Sequence, residues 1–210
     1  DDARWQQWAR LGLNAVVVDL KNDQGWVLAP VELPEVDRFR ARWSPGLDLA
    51  GLVSRARAYG LHAVARIVAL RDERATRARP DLALKDRQGQ VWRGRSGERW
   101  LDPSRPEVQR YIAGLALAAQ AMGFVEVQLD YARFPSEGPV ERLPWPNGSK
   151  QEAVRQMVAA VQAALAPTGT PLSLAIFGQV CTWELDMGIG QRCESLAGVA
   201  DLLAPMEYRS

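Results

Sequence analysis

The sequence predicts an α/β domain of the β/α-barrel type, and three observations carry that expectation. Apolar runs of strand length alternate with amphipathic stretches along the 210 residues, the pattern of a parallel sheet whose crossovers are helices. Polar residues recur at alternate positions inside the strands, most clearly in Phe124-Val-Glu-Val-Gln-Leu-Asp130. One face of such a strand must pack on helices, so the polar face has to be a barrel interior. Third, a doubly wound nucleotide-binding sheet finds no support, because neither G-x-G-x-x-G after the first strand nor G-x-x-x-x-G-K-[ST] occurs. A closed barrel takes eight strands and about 250 residues. Only about five βα units can be counted, so the expected fold is a (β/α)8 TIM-barrel type that is incomplete. It would form a single domain over residues 1–210, truncated at both ends.

The elements follow in order. Trp5, Trp8, Ala9 and Leu11 mark a short amphipathic helix stopped by Gly12. Asn14 to Leu20 is an apolar strand of the buried parallel kind. Asp48 caps a helix bearing Leu49, Leu52, Val53, Ala56 and Tyr59, which Gly60 ends. Ala63 to Leu70 is the second strand, with His62 at its start in a structural role. The stretch from Asp72 to Pro103 is long and polar, with a hairpin turn over Asp86-Arg-Gln-Gly-Gln90. Long insertions after a barrel strand shape the mouth of the barrel. Ser104-x-x-Glu107 is read as a capping box, followed by a stripe of Val108, Tyr111, Ile112, Leu115 and Met122. Phe124–Asp130 is the third strand. Ser149-x-x-Glu152 opens a helix with Val154, Met157, Val158, Val161 and Leu165. Leu172–Phe177 is the fourth strand, a helix covers Ile189 to Ala197, and Asp201–Met206 is the last strand.

Composition excludes several functions. With 47% hydrophobic residues, 24% charged residues and a net charge of +1, nothing suggests nucleic acid as partner. Arg71 to Arg79 is locally basic, but Asp72, Glu73 and Asp81 interleave it, so a solvated face is expected. No apolar run is long enough to span a bilayer, and no signal peptide is expected within these residues. A single histidine, His62, argues against His-rich metal sites and Ser-His-Asp triads, so no metal or cofactor is expected. Cys181 and Cys193 pair if the loop between them folds back, which would favour an oxidising compartment; otherwise both are free thiols.

Chemistry is expected at the carboxyl ends of the strands. Alternation places Asp19, Arg66, Gln128 and Asp130 on the interior face, with Arg133 near Asp130 to keep it ionised. Lys21 and Asp23 lie just beyond the first strand, Glu184 and Asp186 after the fourth, and Glu207 after the fifth. These carboxylates, together with Tyr131, Trp183 and Tyr208, suit a sugar cleft. Aromatic faces stack on pyranose rings, while carboxylates hold hydroxyls and supply acid, base or nucleophile. The competing interpretation is a buried Asp–Arg pair that pins a loop.

Five segments carry a resemblance: Asn14 to Gly25, Leu101-Asp-Pro-Ser-Arg-Pro-Glu-Val108, Leu129-Asp-Tyr-Ala-Arg-Phe-Pro-Ser136, Gly188-Ile-Gly-Gln191 and Pro205-Met-Glu-Tyr208. In this order they resemble a bacterial "putative glycoside hydrolase" barrel family with D-Y-x-R-F-P and M-x-Y-P-S-H motifs. The resemblance implies a (β/α)8 glycosidase-type barrel with Asp130 as a catalytic carboxylate. Two departures stand out. Arg209 occupies the place of the second motif's proline with no histidine after it, and the strands before Asn14 and after Tyr208 are missing.

The expected function is hydrolysis of a glycosidic bond in a polysaccharide or cell-envelope glycan, in an exported or envelope-associated protein. Asp130 would be nucleophile or base, with Asp186, Glu184 and Glu207 competing as acid. Asp19, Asp23, Arg66, Tyr131, Arg133, Trp183 and Tyr208 would bind substrate. The alternative is a non-catalytic carbohydrate-binding barrel. A third reading makes Lys21 a Schiff-base nucleophile of aldolase type.

Overall fold

The structure, a computed structural model, describes residues 2–145, 149–182 and 186–207. Helix α1 (Asp2–Arg10) leads into β1 (Ala15–Lys21), and α2 (Pro34–Arg38) and α3 (Leu49–Ala58) precede β2 (His62–Val68). Helices α4 (Glu73–Ala78) and α5 (Pro106–Ala121) precede β3 (Glu126–Asp130), and α6 (Ser149–Leu165) precedes β4 (Leu172–Phe177). Helices α7 (Gly178–Thr182) and α8 (Cys193–Ala197) precede β5 (Leu202–Met206). The five expected strands form one parallel sheet in the order β1-β2-β3-β4-β5. A doubly wound sheet reverses its order at a switch point. Strictly sequential order is that of a β/α barrel, here five strands of one.

The two faces of the sheet differ as the alternation requires. Val127, Leu129, Leu172, Leu174 and Ile176 are wholly buried on the outer face. The helices supply the matching layer: Val108, Tyr111, Ile112 and Leu115 of α5, and Val154, Met157, Val158, Val161 and Leu165 of α6. The other face is polar. Register aligns Asp19 with Arg66, Arg66 with Gln128, and Gln128 with Ser173, so these four form one row across β1–β4. Glu126 belongs to the same face and accepts a 2.5 Å hydrogen bond from the Ser173 hydroxyl.

Several local expectations are corrected. The Ser104–Glu107 capping box does not form. Pro106 takes the first helical position, which puts Arg105 at the cap, and Ser104 donates from its amide and hydroxyl to Asp102 instead. Glu152, in the first turn of α6, accepts from Arg155 and Gln156. Residues 72–103 are less polar in space than in sequence. The Asp86–Gln90 turn is present, but Leu82, Leu84, Trp92, Trp100 and Leu101 are buried and α4 opens the segment. Cys181 and Cys193 form a disulfide joining α7 to α8, which settles the two readings in favour of pairing.

Candidate site at the strand ends

Arg66 organises the polar face. Its Nε and Nη2 donate to Asp130 Oδ2 at 3.0 and 2.6 Å, and its Nη1 donates to Asp19 Oδ1 at 2.7 Å. One guanidinium on β2 therefore clasps carboxylates from both neighbouring strands: register sets Asp19 beside it, and Asp130 lies two residues beyond its other partner, Gln128, on the same face. Burial works against the Arg66 charge, but the hydrogen bonds to Asp19 and Asp130 and the two negative charges outweigh it and raise its pKa. The other Asp130 oxygen accepts the backbone N–H of Tyr131 at 2.7 Å. Asp130 is 8% exposed, at the last position of β3.

The cation that hydrogen-bonds Asp130 is Arg66, which the sequence reading did not pair with it, while Arg133 acts on Asp130 through charge alone. Arg133 donates to the Phe134 carbonyl and packs over three rings, Phe177 at 4.6 Å, Tyr131 at 4.9 Å and Trp100 at 5.2 Å. Burial lowers its pKa, with Tyr131 and Asp130 acting in the opposite sense. Tyr131 adopts a left-handed backbone with φ of 51°, which turns its ring onto Trp100 and under Arg71. Arg71 in turn pairs with Asp23 at 3.3 Å. Asp23, Arg71, Tyr131, Arg133 and Phe177 form a continuous wall from the loop after β1 to the end of β4.

Of the remaining candidate carboxylates, Glu207 and Asp186 are among the described residues. Glu207 is exposed beyond β5 and lines a cleft of about 500 Å³ with Phe177, Gln179 and Met206. Asp186 accepts from the Gly188 amide in a turn, and its charge opposes the lowering of the Lys150 pKa that burial causes. Trp183, Glu184 and Tyr208 lie outside the described residues. Lys21 is not presented to the cleft. It is wholly buried, donates to the Val68 carbonyl at 2.6 Å and pairs with Asp72 at 3.0 Å, after a register shift between Asp19 and Lys21. Gly25 makes room for that pair, since a Cβ there would lie 2.1 Å from Asp72 Oδ1.

Gln191 is a residue that the reading of individual site residues missed. Fully buried, it accepts from the Phe177 amide at 3.0 Å and donates to the carbonyls of Ala175 (3.2 Å) and Ala132 (3.4 Å). It ties the loop after β3 to the end of β4. Gly190 before it has φ of 79°, and a Cβ there would come within 2.8 Å of the Lys150 carbonyl. The Gly188–Gln191 motif is thus a clasp, and its only sequence signal was membership in the quoted segment. Among the described residues no group of three His, Cys, Asp or Glu is spaced to hold a metal ion, and no helix is long and apolar enough to cross a membrane.

Solved structures share this architecture. A hypothetical protein from Ruminiclostridium thermocellum ATCC 27405 is similar with a TM-score of 0.71 and 29% identity, over 83% of this chain and 91% of that one. An alpha-L-fucosidase isoenzyme 2 from Paenibacillus thiaminolyticus is similar with a TM-score of 0.60 and 15% identity, over 85% of this chain and 30% of that one. An alpha-galactosidase from Thermus thermophilus, in complex with p-nitrophenyl alpha-D-galactopyranoside, has a TM-score of 0.55 and 19% identity, over 97% and 45%. This chain spans less than half the length of those two glycosidases, and at such identities the likeness is one of fold. No curated protein sequence matches it. The profile of the family described as "Putative glycosyl hydrolase domain" matches residues 5–210, nearly the whole chain, and the chain belongs to that family.

Proposed function

We propose that this domain hydrolyses glycosidic bonds in a polysaccharide or cell-envelope glycan, with Asp130 as nucleophile or base. The observation that carries the proposal is the placement of Asp130. It stands at the carboxyl end of the middle strand, held by Arg66 and the Tyr131 amide, beside an aromatic wall suited to sugar rings. Among the described carboxylates, Glu207 is the best-placed acid. It lines the cleft that Phe177 shares with the Arg133 stack, whereas Asp186 is engaged in its own turn. Asp19, Asp23, Tyr131 and Arg133 then position substrate, and Arg66 orients Asp130. The Cys181–Cys193 disulfide supports an exported or envelope-associated setting.

One observation favours the second reading, a non-catalytic glycan-binding barrel: both oxygens of Asp130 are already hydrogen-bonded within the protein. Asp130→Asn separates the two. Turnover of a panel of oligosaccharides is expected to fall about a thousandfold or more with binding retained. Glycan binding without turnover in the unaltered protein would leave the binding barrel standing.

A further inference from the structure

On the β1–β2 side of Asp130 a cleft of about 970 Å³ opens between the loop after β1, helix α4 and the turn at residues 93–99. Seven arginines line it against three carboxylates, Asp23, Glu73 and Glu98. That is an excess of four positive charges, in a protein whose net charge is only +1. Arg74 and Arg77, three apart on α4, share a face of that helix, and Arg71, just before its cap, lines the same cleft. Two of the acids between and after them in sequence turn elsewhere. Asp72 is buried against Lys21, and Asp81 pairs with Arg79. The third, Glu73, stays in the wall, shared between Arg77 and Arg99. The solvated, self-neutralised face expected from the sequence is therefore an unbalanced basic wall.

Three of its seven guanidiniums are free of partners among the described residues. Arg38, Arg40 and Arg93 are exposed, and their side chains have no hydrogen bond or ion pair among the described residues. The Arg99 Nε is buried and faces Glu73 at 3.4 Å, so Arg99 is already committed to the wall. Arg74 lies 3.7 Å over the Trp26 ring, so the wall also contains an aromatic. Like charges gathered around one cleft repel each other, and an anionic ligand relieves that repulsion. Guanidinium forks match the planar geometry of carboxylates and also fit sulfates.

Position selects the class of anion. Arg71 lines this cleft and also lies over the Tyr131 ring, next to Asp130. Arg71 thus joins the basic cleft to the wall at the strand ends, close enough for one extended polymer to meet both. We propose that the cleft binds an acidic glycan, one carrying carboxylate or sulfate groups along its chain, and feeds it toward Asp130. The proposal rests on the glycoside-hydrolase reading of that residue.

The test is calorimetric titration with hexagalacturonate, its fully methyl-esterified form, a chondroitin sulfate hexasaccharide and a single-stranded dodecanucleotide. At least one acidic oligosaccharide is expected to bind, and which one does distinguishes carboxylate from sulfate. Its affinity should fall about tenfold or more in an Arg38→Gln/Arg93→Gln double variant and with rising salt, and the methyl ester should not bind. Both replaced arginines are exposed, so an unchanged Tm is expected and certifies the fold. The proposal is overturned if neither acidic oligosaccharide binds, if the ester binds equally, if the double variant binds as before, or if the nucleotide binds more tightly. Binding through the arginines with no turnover of any glycan would remove the hydrolase reading and leave the acidic-glycan cleft in place.

Discussion

Lys21 and Asp72 form an ion pair 3.0 Å apart with both side chains fully excluded from solvent, linking the end of β1 to the start of α4. The Asp72 carboxylate also accepts the Ala75 amide at the helix N-terminus, so one buried anion serves a cation and a cap. Lys21→Met leaves that anion without its counter-charge and is expected to cost about 3–5 kcal/mol in urea unfolding. Adding Asp72→Asn should recover part of the loss. A destabilisation below about 1 kcal/mol would show that the pair is not structural, and would reopen a chemical role for Lys21.

Arg66→Met removes three charge-assisted hydrogen bonds and leaves Asp19 and Asp130 facing the same space without a cation. Because Arg66 retains some solvent contact, the expected cost is about 2 kcal/mol, below the range for a fully buried pair. Arg66→Lys should restore only part, since an ammonium cannot repeat the two-sided grip of the guanidinium. Thermal unfolding of the three proteins checks the order.

Gln191→Leu leaves the Phe177 amide and the Ala132 and Ala175 carbonyls without their side-chain partner. A stability loss of about 2 kcal/mol is expected. Hydrogen exchange should speed up at Phe177 in particular, which a loss of general stability alone would not single out.

The Cys181–Cys193 disulfide spans a short segment, with a sequence separation of 12. Closing a loop of that length restricts the unfolded chain by about 3 kcal/mol in the chain-entropy account. Reduction with dithiothreitol, or a Cys181→Ser/Cys193→Ser variant, should lower Tm by several degrees. Identical melting with and without reductant would contradict it.

At acid pH the exposed Glu152 offers a clean linkage test. Hydrogen bonds from Arg155 and then Gln156 hold its carboxyl down to about 2, from a usual 4.5. A depressed folded-state pKa adds stability that is present above the unfolded value and lost as pH falls through the folded one. The difference in Tm between the protein and Glu152→Gln should therefore shrink between about pH 4.5 and pH 2. A difference that stays constant across that window would mean that the carboxylate is not held this way.

Much of the fold was legible because it is written locally. Strand runs such as Asn14–Leu20, and the helical stripe from Val154 to Leu165, depend on periodicity within one segment. Asp130 was legible for the same reason, as the polar end of an alternating strand. What stayed hidden is non-local. Nothing near Arg66 in the sequence indicates that register will set it between Asp19 and Asp130. Arg133, three residues after Asp130, was the nearer cation along the chain. Proximity in sequence favoured Arg133, whereas pairing across strands favours Arg66. The basic cleft was hidden for a related reason. Asp72 counts against Arg71 and Arg74 in a linear reading, yet it is turned inward to Lys21 and does not offset their charge in the cleft.

Because spatial order in the sheet is also chain order, distance along the groove is distance along the polypeptide. A ligand lying across the strand ends meets the loop after β1 first, then the segments that follow β2, β3, β4 and β5 in turn. The basic cleft draws on the segments after β1 and β2, and the far cleft on those after β4 and β5. Exchanging residues 73–99 for those of a relative would re-tool the basic end, and exchanging residues 178–182 would alter the far side, with the Gln191 clasp kept. Selectivity in such a domain can change by replacing one connection at a time, with the hydrogen-bonded set of Asp19, Arg66 and Asp130 left as it stands.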